Sequence, residues 1–443
     1  MASQITLSPQ HVGILGDADV SSESLREANR LLQMNHDKWH IFFREMTGHN
    51  HIVHSILSNL ALGAEPNDIQ RAYDDGVVIQ RAIPEVDDEI ADQLHDYEKL
   101  DDLVGNSNLY STFLAFFQGE IDKHGWKQVV TNFVFSRTLL AEKMLVKMYE
   151  GMYHPIIHLG LGIEFEQPGI IAEALAQAAS HPDGHINKLL LGSETVANTQ
   201  DLPERPKSLM ELVEEVRSKK TIYEALRFED HWNRMSDGIM DRTSGELAPI
   251  AAQFRIRPED LERRTAEMIS VDAYIAGACQ RPGKKPKIDF FLMHTVTSSI
   301  FFSVFIKQDW IKLEDRIRLV EWKGRLDLAL YAFTHCPDLH EELITNYYND
   351  YTKNMDWAEL YSVVSKEHDD GHLAKFVRAL RNGESAVKPY ENGDWSDYFP
   401  VKGDMWLRIA RTAVDSTRNV HNTDFKWIFG TGFEEAWNRP DLH

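Results

Sequence analysis

NFVFSRTLLAEKMLVKMYE, residues 132–150, repeats apolar side chains at three-to-four spacing with charged residues such as Arg137, Glu142 and Lys147 between them. That period predicts an amphipathic helix with one face against a core. The same spacing runs through 22–33, 221–228, 261–278, 314–333 and 357–379. Strand signals are sparse: no series of alternating runs closes on Asn-Gly or Asp-Gly turns, and no β-α-β rhythm appears. The expected fold is therefore all-α, one large interwoven multi-helix domain over residues 1–443. Its long loops are expected at 181–206 (HPDG, SET, LPERP), 281–287 (RPGKKPK) and 382–395. No repeat of fixed period suggests a solenoid.

The most membrane-like stretch, FFLMHTVTSSIFFSVFI at 290–306, contains His294, Thr295, Thr297, Ser298, Ser299 and Ser303. It falls short of the ~20 residues a bilayer needs and reads as a buried helix. Forty-seven Lys and Arg stand against 69 Asp and Glu, a formal charge of −22. That sign opposes tracking of a nucleic-acid backbone and docking on an anionic membrane. Two cysteines, Cys279 and Cys336, are too few for a disulfide framework and fit a reducing, cytoplasmic compartment. MASQITLSPQ at the start has no basic segment ahead of an apolar run, so no secretory signal is expected.

Familiar cofactor and nucleophile patterns are missing: no G-x-S-x-G, no Walker A, no G-x-G-x-x-G, no H-E-x-x-H and no C-x-x-C. A flavin or nicotinamide cradle is thus not expected. Twenty histidines stand out instead. GHNHIVHSILSNLALGA places His51 and His54 at i and i+3 ahead of an apolar helix. In GMYHPIIHLGLGIEF, Pro155 suits a first helical turn, setting His154 at the cap with His158 one turn further in. His294 lies in the 290–306 run, and HDDGHLAKFVRAL carries His372 and Lys375 at i and i+3. Residues three or four apart share a helix face and can address one centre. Converging imidazoles suit a first-row divalent metal or a proton-handling pocket.

Bland alternatives stand beside each. A single histidine in an apolar helix, as His294, is commonly a core residue bonded to a backbone carbonyl, and the pairs His36/His40 and His181/His185 read as surface. Lys375, flanked by Leu373, Phe376 and Val377, either snorkels to solvent or is buried as a neutral amine able to take up carbon dioxide as a carbamate. Glu164, Asp369 and Asp370 are rival carboxylates that serve equally as helix caps. His368-Asp369 resembles the HD pair of metal-dependent phosphohydrolases, without the remaining ligands. Ten Trp, 14 Tyr and 21 Phe could line a flat apolar pocket or simply fill the core.

Four of these segments in order, HNHIVH with LALGA (49–54, 60–64), HPIIHLGLGIEF (154–165), HTVTSSIFF (294–302) and DDGHLAKFVRAL (369–380), resemble the fungal questin oxidase-like family, and the likeness spans nearly the whole chain. One departure is Ser55, where the family often doubles the histidine. The resemblance implies an oxygenase of aromatic polyketide biosynthesis that opens an anthraquinone, or its hydroquinone, by Baeyer–Villiger-type oxidation with dioxygen toward a benzophenone. In one branch it implies non-haem Fe(II) held by His54, His158, His294, His372 and a carboxylated Lys375, with His51 and His154 as contenders. In the other it implies no metal and no flavin: an electron-rich hydroquinone reduces dioxygen itself, with His51, His154 or His294 as base. The expected partners are the small aromatic substrate and dioxygen. A helical interaction protein with structural histidines is the non-enzymatic alternative.

Overall fold

The computed structural model describes residues 1–44, 48–420 and 423–442. Among them the only β-pairings are the isolated bridges Trp39–Ala82, Phe42–His49 and Asp289–Ile428, and everything else regular is helical. The expected all-α class is what the chain adopts.

The chain forms two compact units, each assembled from two stretches: Met1–Asp183 with Tyr361–Lys375, and Gly184–Leu360 with Phe376–His443. The helix His372–Val387 gives its first residues to one unit and the remainder to the other.

In the first unit the centre is Pro168–Ser180, whose residues from Gly169 onward are all buried. It packs against Glu150–Glu164 and Tyr110–His124. Ile170, Ile171 and Leu175 are fully enclosed there, each contributing roughly 1.5–3 kcal/mol of apolar burial. Ile52–Ala61, buried along its whole length, packs on Ser22–Lys38, Pro66–Val77 and Glu150–Glu164. Ser21 starts Ser22–Lys38 by accepting a hydrogen bond from the Ser24 N–H, a cap worth about 1 kcal/mol.

The second unit surrounds Leu261–Ala278, which packs on Phe290–Phe305 and Leu313–Phe333. Lys323 is buried there and donates to Asp272 at 2.9 Å and to Asp327 at 2.6 Å, so its charge is neutralised inside the core. Phe290–Phe305 is the buried helix expected of the 290–306 run, and no helix among the described residues is long and apolar enough to cross a membrane.

Some helices differ from the sequence reading. The stretch 132–150 is not one helix: it turns at Arg137, whose φ is +64°, and Leu139–Met148 begins anew with Thr138 capping the Ala141 N–H. The stretch 357–379 divides into Trp357–Val364 and His372–Val387 because Gly371 adopts φ +90° and Asp369 caps the second helix through the Leu373 N–H. In 221–228 only a short turn, Lys220–Tyr223, is α-helical. The expected 181–206 loop contains the helix Asn187–Asn198, and the 382–395 loop starts only after Val387.

Candidate active site

Imidazoles from three segments of the first unit meet in one cluster. His51 stands at the N-terminus of Ile52–Ala61, with His54 one turn in. His154 begins the regular part of Glu150–Glu164, with His158 one turn in, as Pro155 in a first turn requires. His372 starts His372–Val387, and Lys375 follows on the same face.

His154 is aimed by a strained approach. Gly151, Met152 and Tyr153 all have positive φ, of 55°, 56° and 69°. Two non-glycine residues in this region cost of order 1–3 kcal/mol each, a concentration of strain typical of sites that must hold a side chain in one direction. Gly151 cannot be replaced without conflict: a Cβ there would run into the His181 ring and lie 2.7 Å from His49.

Hydrogen-bond partners define which ring nitrogens carry protons. The Gly151 carbonyl, 2.5 Å from His154 Nδ1, can only accept, so in the neutral ring His154 Nε2 holds the lone pair. His51 Nε2 lies 2.7 Å away and donates to it. Asp370 accepts from His372 Nδ1 at 2.5 Å, which directs the His372 Nε2 lone pair inward. The second Asp370 oxygen lies 3.6 Å from His51 Nδ1. The ligand atoms of His51, His154 and His372 fall within 4.8 Å of one another, so the three form a group able to hold a metal ion. Outer partners on Nδ1, as at His154 and His372, are what orient metal-bound imidazoles.

Burial and nearby cations disfavour a charge on His51 and His54. Burial, then Lys375 and His372, push His51 down to about 3, against the pull of Asp370. Burial, followed by Lys375 and His158, holds His54 well below the ordinary histidine range. Lys375 is buried, its Nζ 3.5 Å from His54 Nδ1, and desolvation lowers it to about 8 although Asp370 and Asp369 oppose this. Asp370 lies well below the usual carboxylate range, because His372 and His51 outweigh its burial. Asp370 is 33% and His51 12% exposed, so both side chains touch solvent at one edge of the group.

The remaining candidates sit as follows. His158 uses both nitrogens within the protein, on Glu173 at 2.7 Å and on His54 Nε2 at 3.2 Å. His294 belongs to the second unit, where its Nδ1 donates to the Phe290 carbonyl at 2.6 Å and its ring meets the Phe290 ring edge-on. Glu164 accepts from the Ile14 N–H, and Asp369 caps a helix. His368, of the HD pair, is exposed and pairs with Asp75.

Reading His36, His40 and His181 as surface residues was wrong, since all three are buried; their companion His185 is half-exposed. His181 Nδ1 donates to the Pro182 carbonyl, so its Nε2 accepts from His49 Nε2 at 3.2 Å. His49 stacks on His154 with centroids 3.9 Å apart. His36 bonds Glu173 at 2.6 Å. Glu173 escaped notice although a signal existed: it is the lone charged residue of PGIIAEALAQAAS. Cavities of about 650 and 220 Å³ occur in the second unit, and none of these imidazoles lines either.

Buried, mutually bonded imidazoles backed by carboxylates and an amine are the equipment of an enzyme that moves protons or holds a metal beside a small molecule. Residues 48–380 match the model of the questin oxidase-like family. The whole chain is 58% identical to a Baeyer–Villiger monooxygenase of Aspergillus aculeatus, covering 97% of it, and 53% identical to one of a Cryptosporiopsis species, covering 99%. Over 98% of its length it is 45% identical to questin oxidase of Aspergillus terreus, 97% of which is covered. The chain belongs to the questin oxidase-like family. It is an oxidoreductase, an oxygenase of the Baeyer–Villiger type.

Proposed function

We propose that this oxygenase opens the central ring of a planar polyphenolic anthraquinone, taken in its reduced hydroquinone form, and that His51, His154, His372, Asp370 and Lys375 are the groups that face it. The observation that carries this reading is the convergence of His51, His154 and His372 at one partly open edge, with each ring held in a defined tautomer.

The reaction balances without a nucleotide cofactor. The hydroquinone supplies two electrons and two protons to dioxygen. One oxygen atom enters between the ketone carbon and the adjacent ring carbon, breaking that C–C bond and forming a lactone, and the other leaves as water. Hydrolysis of the lactone yields the benzophenone skeleton. A phenol O–H set against His51 Nδ1 can pass its proton to that ring as an electron leaves for dioxygen, the resulting imidazolium facing Asp370 and sharing its other proton with His154. Loss of the phenol proton raises the electron density of the ring system and favours electron transfer to dioxygen. The protein's further contribution is orientation and exclusion of water.

A metal-assisted route is the second reading, favoured by the three-imidazole group itself. His51, His154 and His372 are the residues that would hold Fe(II), which when bound would supply a redox-active centre beside the substrate.

The test is oxygen uptake with an anthraquinone before and after anaerobic reduction, using ¹⁸O₂. Uptake with the reduced form, and one labelled atom in the lactone, is expected. No uptake with either redox form would sink the proposal.

A further inference from the structure

We propose that Glu173 is a positioning residue, whose carboxylate sets the hydrogen-bond direction of a buried chain running through His158 and His54 to Lys375. The inference rests on the function proposed above, because Lys375 is where the chain meets the groups assigned to substrate.

Glu173 is buried, with Oε1 2.6 Å from His36 Nδ1 and Oε2 2.7 Å from His158 Nε2. An ionised carboxylate can only accept, so both imidazoles donate to it. Burial alone would raise its pKa, but the bonds from His158 and His36 prevail and hold it at about 2. With Nε2 protonated, neutral His158 has its lone pair on Nδ1, which accepts from His54 Nε2 at 3.2 Å. His54 then keeps its own lone pair on Nδ1, facing Lys375 Nζ at 3.5 Å. At the other end, Gln118 Nε2 donates to His36 Nε2 at 2.7 Å, completing the pattern. Each link is determined by the one before, and the carboxylate at one end and the Lys375 ammonium at the other call for the same direction. Reversal would give His54 an Nδ1–H opposed to the hydrogens of the Lys375 ammonium, turning the contact into a donor–donor clash that displaces the charged side chain.

The experiment swaps direction with the same residue at position 173. With Glu173→Gln, the new amide accepts on one side and donates on the other, so the partner of His36 decides which way it turns. Adding Gln118→Glu makes His36 donate from Nε2 and accept at Nδ1 from the amide at position 173, whose oxygen accepts from His158: the native direction is rescued. Adding Gln118→Lys forces His36 to donate from Nδ1, so the amide donates to His158 and the chain reverses. Both double variants carry the same loss at position 173, and the single variants Gln118→Glu and Gln118→Lys, with Glu173 in place, measure what the change at position 118 contributes by itself.

The expected result is kcat within about threefold of wild type for Gln118→Glu/Glu173→Gln and about ten- to hundredfold lower for Gln118→Lys/Glu173→Gln, with KM little changed in either. Equal kcat values for the two would overturn the inference. Independently of any variant, ¹⁵N and ¹³C shifts of labelled histidine in the wild-type enzyme report the tautomer of His158. Protonation at Nε2 is expected, and protonation at Nδ1 would overturn the inference even if the double variants do not fold. His372→Ala separates the two levels. If it abolishes turnover while the double variants match each other, this inference fails and the proposed function stands. If it turns over normally, the role assigned to His372 in that function fails, and the His158 tautomer still decides the role of Glu173.

Discussion

His51 Nε2 lies 2.7 Å from His154 Nε2, although 103 residues of chain separate them. The Gly151 carbonyl sets the direction of that bond from behind His154, and Asp370 braces His372 beside it. Three rings from three helices thus present defined atoms to one small volume.

His372→Ala and His154→Ala should fold, since each shortens a side chain at a helix start, and should lose about 10²–10⁴ in kcat/KM, the range expected when a positioned proton-handling group is removed. Oxygen uptake with reduced anthraquinone, alongside circular dichroism, checks this. Wild-type turnover in both folded variants would remove the cluster from the reaction.

Gly151→Ala places a methyl group at φ +55° against His181 and His49. The left-handed backbone costs about 1–2 kcal/mol for an alanine, and the clash adds to it. Denaturant unfolding should show that loss of stability, with activity falling further than stability does because His154 is re-aimed. An unchanged unfolding midpoint and turnover would mean that the turn relaxes freely.

Cobalt(II) offers a readout of the three-imidazole group that is separate from turnover. Titration of protein stripped with chelator should give a visible d–d absorption saturating at one ion per chain, lost in His372→Ala and in His154→Ala. Retention of full absorption in both variants would place the ion elsewhere.

His40 gives a pH dependence with a definite sign. It is buried, accepts from the Phe42 N–H at 2.9 Å, and is lowered from 6.5 to about 3 by burial and then by Arg81. The folded form therefore prefers the neutral ring. Its stabilising contribution is complete above pH 6.5 and declines below it, as the unfolded chain takes up a proton that the folded chain refuses, until the folded pKa near 3 is reached. Between about pH 6.5 and 5 the loss is about 2 kcal/mol. Urea unfolding of wild type and His40→Gln across this interval checks it: the variant should show a shallower decline, and parallel curves would refute the assignment.

Helical periodicity was enough to locate Leu261–Ala278 at both ends and Leu313–Phe333 to within a residue, and to read Phe290–Phe305 as core rather than membrane. These are local properties, set by spacing along the chain and by the cost of leaving an apolar face in water. Periodicity failed at Arg137 and Gly371, where a positive φ interrupts a run that the hydrophobic pattern carries on.

Composition and motif order determined that this is a helical, histidine-rich member of an oxygenase family, and Pro155 alone put His154 and His158 one turn apart. Only the tertiary structure decided which nitrogens meet. It joined His51 to His154, set Asp370 behind His372, drew His36, His40 and His181 out of an assumed surface role, and placed Glu173 between two rings. A ring's proton position depends on partners brought by packing from a hundred residues away, and no local spacing records which partners those are.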